Sequence, residues 1–167
     1  GDTSRIFLEG AAAMTPAALL VGFARTIEVV MTDGQIIDTV VFSIAGLLEG
    51  LPAEASALGM LVVQTICNFF IPSGSGQAFV TMPIMSPLAT LTDVPQQTAV
   101  LAYQFGDGFT NMIVPTSALV MGALALGRVP YAAWFRFVGL LLLKFFAAAA
   151  VFLVLSMHVG SAFGFHS

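Results

Sequence analysis

Residues 64–77 read Q-T-I-C-N-F-F-I-P-S-G-S-G-Q, a polar tip broken by proline and glycine and set between long apolar segments. In water such a stretch is an ordinary loop. In a bilayer it is a severe constraint, because broken backbone survives at membrane depth only where it is buried in protein or lines a cavity. A second breach follows at residues 105–117, F-G-D-G-F-T-N-M-I-V-P-T-S. Composition decides which solvent applies. Of 167 residues, 58% are hydrophobic and 8% charged, where a soluble domain carries about 25% charged residues. The main solvent is lipid, and two interrupted hydrophobic segments near one another mark the place where a membrane carrier would hold its cargo.

Several classes fall away early. Five basic residues make no nucleic-acid footprint. The single cysteine, Cys67, excludes an intrachain disulfide and a multi-cysteine metal site, and in its apolar run it reads as packing. The chain does not open on methionine, and Gly1-Asp2-Thr3-Ser4 is not the basic start of a signal peptide. We therefore expect a part of something longer.

The expected fold is all-α and membrane-embedded. It combines spanning helices with an interfacial arm, a re-entrant helical hairpin and a discontinuous helix. Residues 1–34 form a scaffold-type transmembrane helix. Its apolar run of about 26 residues exceeds the roughly 20 that span a bilayer, although Glu9, Pro16, Arg25 and Glu28 interrupt it. Arg25 and Glu28 are three apart and share a face, so they can pair. Residues 35–51 have apolar positions at helical spacing but are too short to span, which predicts an amphipathic arm along the interface; a short spanning helix is the rival.

Residues 52–126 form a transport unit, with the hairpin at 52–92 and the broken helix at 97–126. Pro72 stops the first limb, Ser73-Gly74-Ser75-Gly76 lets the backbone turn, and the second limb carries Pro83 and Pro87. The hairpin's base lies at Pro52 and Thr92-Asp93-Val94-Pro95. The broken helix is expected to open across Gly106-Asp107-Gly108 and resume after Pro115. Residues 127–167 hold the last transmembrane helix, anchored by Tyr131 and Trp134, and a short tail that we expect to be loose. Arg128 and Arg136 at its start place that end in the cytoplasm, and the localisation expected is a multi-pass bacterial inner-membrane protein.

Three of these stretches carry a resemblance: D-G-Q-I-I-D-T at 33–39, N-F-F-I-P-S-G-S-G-Q-A at 68–78 and the breach at 105–117. They resemble the YfcC-like transporters, grouped with the DcuC-like anaerobic C4-dicarboxylate carriers in the ion transporter superfamily. Members of that group are built from two inverted repeats. No second copy of the tip occurs here, so the chain resembles the C-terminal repeat alone, and the N-terminal half of the same transporter is an implied partner. In sodium–dicarboxylate relatives of the wider superfamily a Ser-Asn-Thr tip meets the substrate carboxylate beside a sodium ion. Ser73-Gly74-Ser75 stands in its place without the asparagine, and Val114-Pro115-Thr116-Ser117 stands at the matching unwound segment. The resemblance further implies a homodimer and an elevator motion, and leaves C4-dicarboxylates and basic amino acids such as arginine or ornithine as alternative substrates.

The chemistry of the two breaches fits a small organic anion or an amino acid. Hydroxyls of Ser73, Ser75, Thr110, Thr116 and Ser117 can donate to a carboxylate or coordinate a cation. Half-helix N-termini suit an anion, and freed carbonyls suit Na⁺ or an ammonium. Gly74, Gly76 and Pro115 shape the backbone, while Asn68, Gln77 and Asn111 supply further hydrogen bonds. Asp107 is the candidate for the coupling ion, Na⁺ or a proton, or for a substrate ammonium. Its rival roles are a salt bridge to Lys144 or a helix cap, and for the serines and glycines the rival is tight helix packing. No other cofactor is called for. A serine hydrolase is disfavoured, since Gly74-Ser75-Gly76 is not the G-x-S-x-G elbow and His158 and His166 lie far along the chain. A non-transporting membrane subunit or channel piece is the remaining alternative.

Overall fold

Many large apolar side chains of this protein point outward, and several polar ones point inward. In the computed structural model, which describes residues 2–48 and 50–159, Phe79, Leu119 and Phe137 are 84%, 82% and 77% exposed. Gln64, Asn68, Gln77, Thr81 and Thr98 are sealed inside. An exterior of this kind is an aggregation liability in water and the ordinary exterior of a protein dissolved in lipid.

The described residues form seven helices and no strand: α1 (Asp2–Asp33), α2 (Ile36–Gly46), α3 (Ala53–Phe70), α4 (Gly74–Leu91), α5 (Gln96–Thr110), α6 (Ala118–Leu126) and α7 (Tyr131–Val159). Both α3 and α7 are long and apolar enough to cross a membrane. The 18 residues of α3 reach about 27 Å, close to the thickness of a hydrocarbon core. Pro52 precedes α3 as its N-cap and Gly50 turns the chain before it at φ 83°. Such a φ is open to glycine and strained for other residues.

Packing centres on α3, which lies against α5, α4, α7 and α2. Met60, Met85, Ala57, Val63, Ala102 and Leu153 fill the space between them. At one point α3 and α5 meet backbone to backbone. A β-carbon on Gly106 would stand 2.7 Å from Gln64 Cβ and 3.0 Å from Thr65 N. This explains a correction to the sequence reading. The helix does not open at Gly106-Asp107-Gly108; α5 runs unbroken to Thr110 and the chain unwinds only over residues 111–117. Gly106 serves a helix crossing, as small residues do in membranes, rather than a break.

The last helix joins this body. α7 packs on α5 and α3, with Phe109 stacked on Phe145 at 5.3 Å and edge-on to Phe146 at 5.6 Å. The Thr98 and Ser156 hydroxyls sit 2.9 Å apart across the same seam. By contrast α1 lies against α6 and α2. The expected Arg25–Glu28 pair lies outside the described side chains; of the tail expected to be loose from His158, His158 and Val159 belong to α7 and residues 160–167 lie outside the described residues.

Candidate solute and ion site

The hairpin tip is short. α3 ends at Phe70, residues 71–73 turn, and α4 begins at Gly74 with Ser73 as N-cap. The Ser73 hydroxyl accepts a hydrogen bond from the Gly76 amide at 3.4 Å, and the first N–H groups of a helix have no partners within it. The Tyr103 hydroxyl donates to the Gly74 carbonyl at 2.5 Å. A β-carbon on Gly74 would lie 3.0 Å from Asp107 Oδ2. The tip thus rests on α5 at Tyr103 and Asp107, four residues and one turn apart on one helix face. Glycine at position 74 permits that approach.

Asp107 is half-buried in the last turn of α5. Its Oδ1 accepts from Asn111 Nδ2 at 2.8 Å, and its backbone carbonyl accepts from Asn68 Nδ2 at 3.1 Å. Among the described residues it takes part in no salt bridge, and Lys144 is exposed on α7. The interhelical pair found among the described residues, His158 to Glu54 at 3.7 Å, is at the far end of the hairpin. The Asp107 carboxylate therefore faces the N-terminus of α4, where a helix favours negative charge.

The unwound residues 111–117 close the site. Thr116 Oγ1 donates to the Phe69 carbonyl at 3.2 Å, tying the break to the end of α3. Ser117 is buried and caps the start of α6 by position, without a side-chain bond. Pro115 immediately precedes these two residues and is partly buried. Two buried oxygens nearby, Asn68 Oδ1 and Thr110 Oγ1, have no hydrogen-bond partner. Oxygen donors of this kind suit a hard cation. Ser75 is exposed at the tip, beside half-buried Ser73, Gly74 and Gly76.

Gln77 occupies a different place. Its side chain is sealed between the limbs, where Nε2 donates to Gln64 O at 2.9 Å and to Gln64 Oε1 at 2.7 Å. Thr81 adds a bond to Gln64 Oε1 at 3.1 Å. This network staples α3 to α4 just behind the tip. Gln77→Leu alone leaves the Gln64 side chain and carbonyl short of a donor and is expected to destabilise the protein by about 1–3 kcal/mol. The Gln64→Leu/Gln77→Leu double variant removes both partners and is expected to recover part of that loss in a detergent melting assay. The sequence reading did not assign roles at the site to Tyr103, Gln64 and Thr81. The available signal was spacing: Tyr103 is one turn before Asp107, and Gln64 one turn before Asn68.

A tip and a break meeting within an all-helical body whose exterior carries large apolar side chains are the features of a membrane-embedded protein. The comparisons give the family. A family model described as "DcuC: C4-dicarboxylate anaerobic carrier" matches residues 1–158, and the chain belongs to that family. It is 42% identical over 153 residues to the Escherichia coli protein described as "Putative basic amino acid antiporter YfcC", covering 89% of this chain and 30% of that protein. It is 34% identical over 137 residues to an uncharacterized Haemophilus influenzae protein, covering 82% of this chain and 27% of that one. The chain thus spans less than a third of the length of these curated relatives. No solved structure matches it.

Proposed function

We propose that this chain belongs to the C-terminal half of a secondary active transporter of the bacterial inner membrane, moving a small amino acid or carboxylate by an elevator-type motion. The observation that carries the reading is the Asp107 carboxylate set against the N-terminus of α4. A solute bearing both an ammonium and a carboxylate uses both features. Its ammonium meets Asp107, and its carboxylate meets the α4 amides and the Ser73 and Ser75 hydroxyls. A C4-dicarboxylate instead brings two like charges towards Asp107. The amino-acid reading, including a basic amino acid exchanged by antiport, is therefore favoured over the substrate in the family's description.

Asn68 Oδ1 and Thr110 Oγ1 are the oxygens that would hold a coupling Na⁺, which would supply positive charge behind the tip. Gly106 and the Asn68–Asp107 bond link the hairpin to α5, so the two would move as one body, with α7 carried along by its packing on both. The α1 helix and the α2 arm would then remain with the scaffold and the dimer partner, and the N-terminal half would complete the site.

Uptake into proteoliposomes of the full-length transporter tests this. Arginine, ornithine, other amino acids, C4-dicarboxylates and short-chain carboxylates are offered under imposed Na⁺ or proton gradients. Saturable amino-acid uptake driven by a gradient or by a counter-substrate is expected. Dicarboxylate uptake that no amino acid inhibits would overturn the substrate reading. Flux without counterflow would place the protein among channels.

A further inference from the structure

Two aromatic side chains read from the sequence as interfacial anchors also hydrogen-bond to backbone carbonyls in the fold. A helix end leaves its last carbonyls without partners, and a broken membrane helix must satisfy them or offer them to a ligand. At the end of α5 the backbone satisfies several itself. Ile113 N and Val114 N both donate to Thr110 O at 2.9 and 3.0 Å, Met112 N to Phe109 O at 3.2 Å, and Ser117 N to Val114 O at 3.1 Å. The carbonyls of Met112 and Ile113 turn instead to α7. Trp134 Nε1 donates to Met112 O at 2.9 Å, and the Tyr131 hydroxyl donates to Ile113 O at 2.5 Å. Tyr131 and Trp134 are three residues apart in the first turns of α7, so they share a face. Both are partly buried. Elsewhere the same loop carries Asn111 to Asp107 and Thr116 to the end of α3.

We propose that Tyr131 and Trp134 are positioning residues for the transport site: by holding two successive carbonyls of the unwound segment on α7, they fix Asn111 against Asp107 and Thr116 against the hairpin. They also withdraw those two carbonyls from the set open to a coupling cation, which must then take its oxygens from the Asn68 and Thr110 side. The proposal rests on the transporter reading for its kinetic consequence, though not for its structural one.

Tyr131→Phe and Trp134→Phe in the full-length transporter test it. Each keeps an apolar ring at the membrane interface and removes one donor. Two readouts are taken: solute uptake resolved into KM and Vmax, and amide hydrogen exchange of residues 111–117 in detergent without solute. Loss of one such bond is expected to raise KM about tenfold, with Vmax and membrane content near wild type. Exchange should quicken at 111–117 and stay unchanged in α3 and α7. Leu140→Ala, on an exposed position of α7, should alter neither. Wild-type exchange at 111–117 in both variants would overturn the proposal, and so would faster exchange spread through α5 and α7, which marks general loosening. If the wild-type protein carries none of the solutes offered, that failure belongs to the transport reading. The exchange pattern then decides the positioning role alone.

Discussion

Gly106→Leu is expected to abolish transport and to scatter the purified protein into aggregates. The reason is the direct crossing of α3 and α5. A β-carbon at position 106 already falls 2.7 Å from Gln64 Cβ, 3.0 Å from Thr65 N and 3.1 Å from Gln64 C. Two of these are backbone atoms, so no rotamer change relieves the clash. Even Gly106→Ala must push the helices apart, and overpacking of this size destabilises by about 1–3 kcal/mol. The separation also breaks the 3.1 Å bond from Asn68 to the Asp107 carbonyl, which links hairpin to broken helix. Gly108→Ala is the control, since a β-carbon there meets nothing within 4 Å. Size-exclusion profiles and melting temperatures in detergent give the answer. A Gly106→Leu protein with wild-type melting and flux would show that α3 and α5 do not cross as described.

Asp107→Asn is expected to remove coupled uptake while leaving the protein inserted and folded. The substitution preserves size and keeps an oxygen for Asn111, whose 2.8 Å bond therefore survives. What disappears is the charge facing the tip. A charge-assisted bond to a substrate ammonium or coupling ion contributes roughly 1.5–3 kcal/mol, or about a 10- to 100-fold loss of apparent affinity. Ser75→Ala, at the exposed end of the tip, is expected to weaken uptake in the same assay without a change in melting. Wild-type flux in both variants, measured at equal membrane content, would remove Asp107 and Ser75 from the site.

Much of the architecture was legible because lipid leaves a chain few options. The proline and glycines of residues 72–76 had to end one helix and start another; the first limb ends within a residue of the expected place, while the second begins at Gly74, inside the stretch expected to turn. Residue 131 begins a helix for a similar reason, with Pro130 just before it. Around Asp107 the sequence misled. Glycines on both sides read as a break, yet glycine in a membrane helix has two uses, and local sequence does not distinguish unwinding from close approach. Gln77 shows the same ambiguity. A polar residue next to a glycine-rich tip looks like a ligand, and only the arrangement of the limbs reveals Gln64 as its partner.

The sequence by itself determined the solvent, the helical class and the presence of two interruptions. Those follow from backbone hydrogen bonding, which proline and glycine disturb wherever they stand. The tertiary structure alone decided which polar groups face one another. It set Asp107 under the α4 N-terminus, sent Gln77 inward to Gln64, and turned Tyr131 and Trp134 onto the carbonyls of residues 112 and 113. Those pairings join residues 13 to 33 positions apart. They depend on the angle and depth at which helices cross, which no local pattern encodes.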